Sequence, residues 1–90
     1  MNIQKLNLGL TLELMNQRTD KVSLNTFKRF MGNVEEAGKF LGTKLKEDKY
    51  LDNQWSNQSY TLNYENCSLN VEMMSSAGTK SRVVKGFKFN

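Results

Sequence analysis

An α+β fold, one main helix packed on a mostly antiparallel sheet in the order β-α-β-β-β, is what this chain predicts, on three observations. Leu6, Leu8, Leu10, Leu12 and Leu14 alternate with Asn7, Gly9, Thr11 and Glu13, a repeat of two that puts every leucine on one face of a strand. After Ser23 the repeat changes: Leu24, Phe27, Phe30/Met31, Val34, Ala37 and Phe40/Leu41 recur every three or four residues, the spacing of an amphipathic helix. From Tyr60 onward the repeat of two returns. Four apolar strand faces and one helical stripe then close into a two-layer sandwich, a single domain over residues 1–90.

The first strand is expected over Lys5–Met15. A helix is the rival, since Leu6, Leu10 and Leu14 also fall at i, i+4, but it would scatter Leu8 and Leu12 onto the far side. The polar run Asn16–Lys21 reads as a turn. The helix is placed over Asp20–Leu41, with Ser23 or Asp20 as N-cap, Glu35 and Lys39 as a favourable i, i+4 pair, and Gly42 as the left-handed C-terminal stop. Residues 43–57 offer no clear period and are read as a long connection, with a short strand around Thr43–Lys46. Ser59–Tyr64 and Cys67–Met74 form a hairpin around Glu65-Asn66, where Asn tolerates the positive φ of a tight turn. A small-residue loop, 75–80, leads to the last strand, Arg82–Phe89. There Val83, Phe87 and Phe89 share one face, Lys85 breaks the alternation, and Gly86 beside it marks a bulge.

Composition narrows the function. No apolar run approaches the roughly 20 residues that cross a bilayer, and the N-terminal stretch is not a secretion signal; starting at a Met, the chain reads as complete. A single cysteine, Cys67, rules out an internal disulfide and suits a cytoplasmic location. The net charge of +4 permits nucleic-acid binding without requiring it. Lysine and asparagine are abundant and arginine is scarce, a bias that an AT-rich genome produces.

The chemistry-bearing residue types are sparse. There is no histidine, which removes the commonest general base and metal ligand, and one cysteine cannot build a zinc site. No glycine-rich phosphate loop occurs. Glu35/Glu36 and Glu47/Asp48/Asp52 read as solvated surface acids rather than paired catalytic carboxylates, and Cys67 as an inert thiol on an apolar face. The expectation is a non-enzyme without cofactor or metal. Lys85-Gly86-Phe87-Lys88-Phe89 overlaps the RNA-recognition-motif signature. However, Lys88 replaces its small residue, and the parity of Phe87 and Phe89 with Val83 predicts packing under the helix rather than base stacking.

Two functions follow. The first is a small protein-interaction module (an inhibitor, adaptor or regulatory subunit, with the composition of a phage or mobile-element product) whose partner is a protein. Its contact face is the polar sheet face carrying Asn7, Thr11, Glu13, Thr61, Asn63, Asn70 and Glu72, and homo-oligomers through a sheet edge belong to the same reading. The alternative is a small nucleic-acid binder using Lys80, Arg82, Lys85 and Lys88, with Trp55, Tyr60 and Tyr64 as stacking surfaces. A fold with Leu8 and Leu12 in water and Phe87 and Phe89 bare would make RNA or DNA the leading ligand.

Overall fold

The computed structural model describes residues 2–17, 22–79 and 81–90. Two helices, α1 (Ile3–Met15) and α2 (Leu24–Gly32), and a 3-10 turn over Glu35–Ala37 precede four strands: β1 (Phe40–Tyr50), β2 (Trp55–Tyr64), β3 (Ser68–Ser76) and β4 (Arg82–Phe89). The strands form one antiparallel sheet in the order β1-β2-β3-β4. The fold is α+β, as expected, but the chain order is α-α-β-β-β-β rather than β-α-β-β-β.

The leucine-rich opening segment accounts for the largest difference, being helix and not strand. Leucine, glutamine, lysine and glutamate are good helix formers, and only Ile3 and Thr11 in Ile3–Met15 are β-branched. Asn2 caps the start, its Oδ1 accepting from the Lys5 N–H at 3.1 Å. Leu10 is fully buried, with Ile3, Leu6 and Leu14 packed beside it. Gly9 lets Phe30 of α2 close onto α1: an added Cβ would sit 3.3 Å from Phe30 Cζ. Asn7, Thr11 and Glu13 therefore lie on α1, away from the sheet face assigned to them.

The second helix is shorter than the periodicity implies. Ser23 is its N-cap, with its N–H donating to Thr26 Oγ1 at 3.2 Å. It stops at Gly32, where Asn33 Nδ2 donates back to the Arg29 carbonyl at 3.2 Å. The inward spacing persists through Val34 and Ala37 although the α-helix has ended. Gly38, at φ 80°, turns the chain into β1. Gly42 is thus a strand residue and no helix stop, and Glu35 and Lys39 share no helix. Asp20, the other N-cap candidate, lies outside the described residues, as do Arg18, Thr19 and Lys21.

Gly32 has no structural reason to be glycine, since an added Cβ meets nothing within 4 Å. Gly32→Ala is expected to raise stability by about 0.5–1 kcal/mol, read as a higher urea midpoint at unchanged slope.

The β2–β3 hairpin turns at Glu65-Asn66 as expected and pairs Leu62 with Leu69 and Tyr60 with Val71. Residues 43–57 are not a long connection: β1 runs to Tyr50, and Asp52 Oδ1 builds the turn by accepting from the N–H groups of Gln54 and Trp55, both at 2.8 Å. In β4 the register slips between the Glu72–Gly86 and Met73–Val84 pairs, leaving Lys85 as the extra residue of a bulge. The bulge reverses the parity beyond it. Phe87 and Phe89 therefore share their face with Val84 and not with Val83.

Because opposite residues of an antiparallel ladder share a face, the register sorts the whole sheet. One face carries Leu62, Tyr64, Leu69, Val71, Met73, Val84, Phe87 and Phe89, and these join Leu10, Phe27, Met31 and Ala37 in one core. Farther along the same face the residues turn polar: Ser56, Gln58, Ser75 and Arg82. The opposite face carries Thr61, Asn63, Asn70, Glu72 and Lys88, together with Lys44 and Lys49 of β1.

Candidate functional site

The candidate nucleic-acid residues do not gather on one surface. Arg82 lies on the polar end of the helix-facing side, where its guanidinium donates to Tyr60 Oη at 3.0 Å and sits 5.9 Å from that ring's centre. Lys85 occupies the exposed edge bulge. Lys88 stands on the opposite face, across from Asn70. Trp55 also lies on that opposite face, at the start of β2. Tyr64 is in the core, tilted against Phe40 at a centroid distance of 5.3 Å. Lys80 lies outside the described residues. Phe87 and Phe89 are not bare: Phe87 packs edge-on against Phe27 at 6.0 Å and against Phe89 at 6.1 Å.

Of the protein-contact residues, Thr61, Asn63, Asn70 and Glu72 do share the uncovered sheet face, and Thr61 Oγ1 donates to Asn70 Oδ1 at 2.7 Å. On α1, Thr11 Oγ1 is turned back onto the Asn7 carbonyl at 2.7 Å, and Glu13 accepts from Gln17 at 3.2 Å.

The polar end of the helix-facing side is a hydrogen-bonded mesh. Gln58 donates to Asp48 Oδ1 (3.2 Å) and Ser56 Oγ (2.9 Å) and accepts from Ser75 Oγ (2.9 Å). These groups satisfy one another, and none is poised as nucleophile and base. Two of the surface carboxylates have ordinary work: Glu47 pairs with Lys49 at 2.6 Å, and Asp52 holds its turn. The Glu47 contact pushes the Lys49 ammonium up, though both are exposed. Among the described residues no three metal-ligating side chains cluster, and no helix is long and apolar enough to cross a membrane.

Cys67 is half-buried against the core, and burial pushes its thiol up; burial, with Cys67 adding to it, does the same to the Tyr64 hydroxyl. Less thiolate means slower chemistry. Iodoacetamide near pH ~8 should therefore alkylate Cys67 more slowly than an exposed thiol, and the rate should go on rising at pH values where the exposed thiol has levelled off.

The surface that breaks the ordinary rules is the outer side of α1. Leu8, Leu12 and Met15 are 61%, 51% and 75% exposed. They stand opposite Leu10, so the helix is apolar on two sides while only one is covered. The opening repeat of leucines conceals this stripe; its signal is the three- and four-residue spacing of Leu8, Leu12 and Met15. Phe40, Leu41, Leu45, Tyr50 and Leu51 are also exposed, along or just beyond the edge strand β1.

Compared with known proteins, the chain matches no family model, no curated protein and no solved structure.

Proposed function

We propose that this chain is a non-catalytic protein-interaction module, a two-layer α+β platform that presents the outer stripe of α1 to a protein partner. The exposure of Leu8, Leu12 and Met15, on a helix whose opposite side is already packed, carries this reading. Apolar side chains left in water at helical spacing gain free energy only when another surface covers them, about 25 cal/mol per Å2 buried. An inhibitor, adaptor or regulatory subunit working in the cytoplasm fits this surface, and the lysine- and asparagine-rich composition suits a phage or mobile-element product. The uncovered sheet face, with Thr61, Asn63, Asn70 and Glu72, supplies a second, polar contact area.

The nucleic-acid reading is weaker because Arg82 and Lys88 face opposite ways and Tyr64 is inside. A photoreactive residue at position 12, in the cells that produce the protein, is expected to form an adduct with a polypeptide, while one at Thr79, exposed in the β3–β4 loop, gives none. No adduct from position 12 would remove the proposal. Retention of single-stranded DNA at low salt, lost in Lys85→Gln/Lys88→Gln and at high salt, would put the nucleic-acid reading first.

A further inference from the structure

We infer that the occupant of the α1 stripe is a second copy of this chain, docked with its own α1 antiparallel to the first. The inference rests on the contact-surface reading above and specifies its partner.

The seam is its own complement. Lys5, Leu8, Leu12 and Met15 are all exposed and are separated by three, four and three residues, the alternation that keeps side chains on one line between two packed helices. Spacings of three, four and three read the same in both directions. Reversing a second α1 so that Leu8 meets Leu12 of the copy places Met15 against the alkyl stem of the copy's Lys5, twice over. The flanking positions are Gln4, Gly9, Thr11 and Asn16. None is charged, so nothing beside the seam repels.

Charge points to the same orientation. In isolation α1 is badly arranged for its own dipole: no acid lies in its first turn and no base in its last. Lys5, its only cation, sits near the positive end. An antiparallel copy carries each Lys5 to the other helix's C-terminal carbonyls, where a cation is favoured. Edge strand β1 also exposes apolar residues, but Lys44, Lys46 and Lys49 stand among them, and Arg82, Lys85 and Lys88 line β4, so two copies of a chain with net charge +4 would bring lysines together there.

The sheet edges are closed to pairing. β1 bulges at Lys46, between the Leu45–Tyr60 and Glu47–Ser59 pairs, and β4 bulges at Lys85. A bulge with a lysine on an edge strand blocks strand addition. That leaves the helix. A helix of 13 residues is short, so the pairing belongs to the weak, concentration-dependent class below about 1,200 Å2.

Sedimentation of the full chain should show a monomer–dimer equilibrium with rising concentration. Leu8→Glu/Leu12→Glu should weaken it by at least about 100-fold while leaving the far-UV spectrum, and the melting at dilutions where both forms are monomeric, unchanged, because both leucines face solvent in the monomer. In a Cys67→Ser background, a mixture of Leu8→Cys and Leu12→Cys chains should form disulfide dimers faster than either variant alone. Like-with-like dimers forming as fast would overturn the antiparallel register. A monomer at every concentration would overturn the pairing; an adduct from position 12 to a different protein would then leave the contact-surface reading standing, and its absence would end both.

Discussion

Phe27→Ala is expected to cost about 3–5 kcal/mol, the largest effect of any single side-chain truncation in the molecule. Phe27 is fully buried at the point where α2 meets the sheet. Its ring stands edge-on to Phe87 at 6.0 Å and 61°, and Phe87 in turn meets Phe89 at 6.1 Å and 84°. Truncation removes both the buried area and the first aromatic contact, and the remaining rings cannot fill the space without leaving their strand positions. A domain of this length holds about 5–13 kcal/mol in all, so the variant loses a large share of its stability. Urea unfolding monitored at Trp55 measures the loss. Phe27→Leu, which keeps most of the volume, should cost less than about 1.5 kcal/mol. Equal effects from the two substitutions would mean that Phe27 is not packed as described.

That same aromatic cluster is legible in the amino-acid order alone. Phe27 falls on the three-and-four spacing and Phe89 on the repeat of two, and each spacing points its residue to a buried face. The hairpin at Glu65-Asn66 is legible for a related reason: turn chemistry and alternation on both sides agree. Gly86 announces the bulge, but not that the bulge moves Val83 out and Val84 in. Leu6–Leu14 misleads because one segment satisfies two periods. A repeat of two contains a repeat of four, so Leu6, Leu10 and Leu14 serve a helix as well as a strand, and the shortage of β-branched residues decides for the helix. The expected 20–41 helix is overlong because Val34, capping a 3-10 turn, and Ala37, ending it, join the core as readily as residues of an α-helix would. β1 leaves no pattern because it is an edge strand, exposed along almost its whole length, so no burial constrains its alternation.

The outer stripe is hidden for a reason of the same kind. Once five leucines are assigned to one buried strand face, no apolar residue of that segment is left over to form an exposed stripe. The helix divides them: Leu6, Leu10 and Leu14 fold the domain, while Leu8 and Leu12 remain in water. The surplus of apolar residues is what leaves a second, uncovered stripe on a folding segment. The expected polar contact face is correspondingly split, with Asn7, Thr11 and Glu13 on α1 and the rest on β2 and β3.

Gly38→Ala should destabilise by roughly 2–4 kcal/mol, combining backbone strain with a steric clash. Gly38 has φ 80° and ψ −162°, a conformation nearly closed to residues with a side chain. An added Cβ would also lie 2.7 Å from Glu65 Cβ and 2.9 Å from Glu65 Oε1. Neither can move freely. Glu65 Oε1 accepts from the Lys39 N–H at 2.7 Å, and the Glu65 N–H donates to the Lys39 carbonyl at 3.1 Å. Beside them the Asn66 N–H donates to the Ala37 carbonyl at 3.0 Å and Asn66 Nδ2 to the Glu36 carbonyl at 2.8 Å. This clamp fastens the β2–β3 turn to the segment that leads out of the helices, so a shift there loosens both. Gly42→Ala is the control: φ is 140°, but an added Cβ meets nothing within 4 Å, so strain acts alone and the loss should be smaller. Placing Gly38→Ala on a Glu65→Gly background separates the two contributions. The clash disappears while the strain stays, so the double variant should lose less than the two single losses added together. Strict additivity would show that the turn does not press on Gly38.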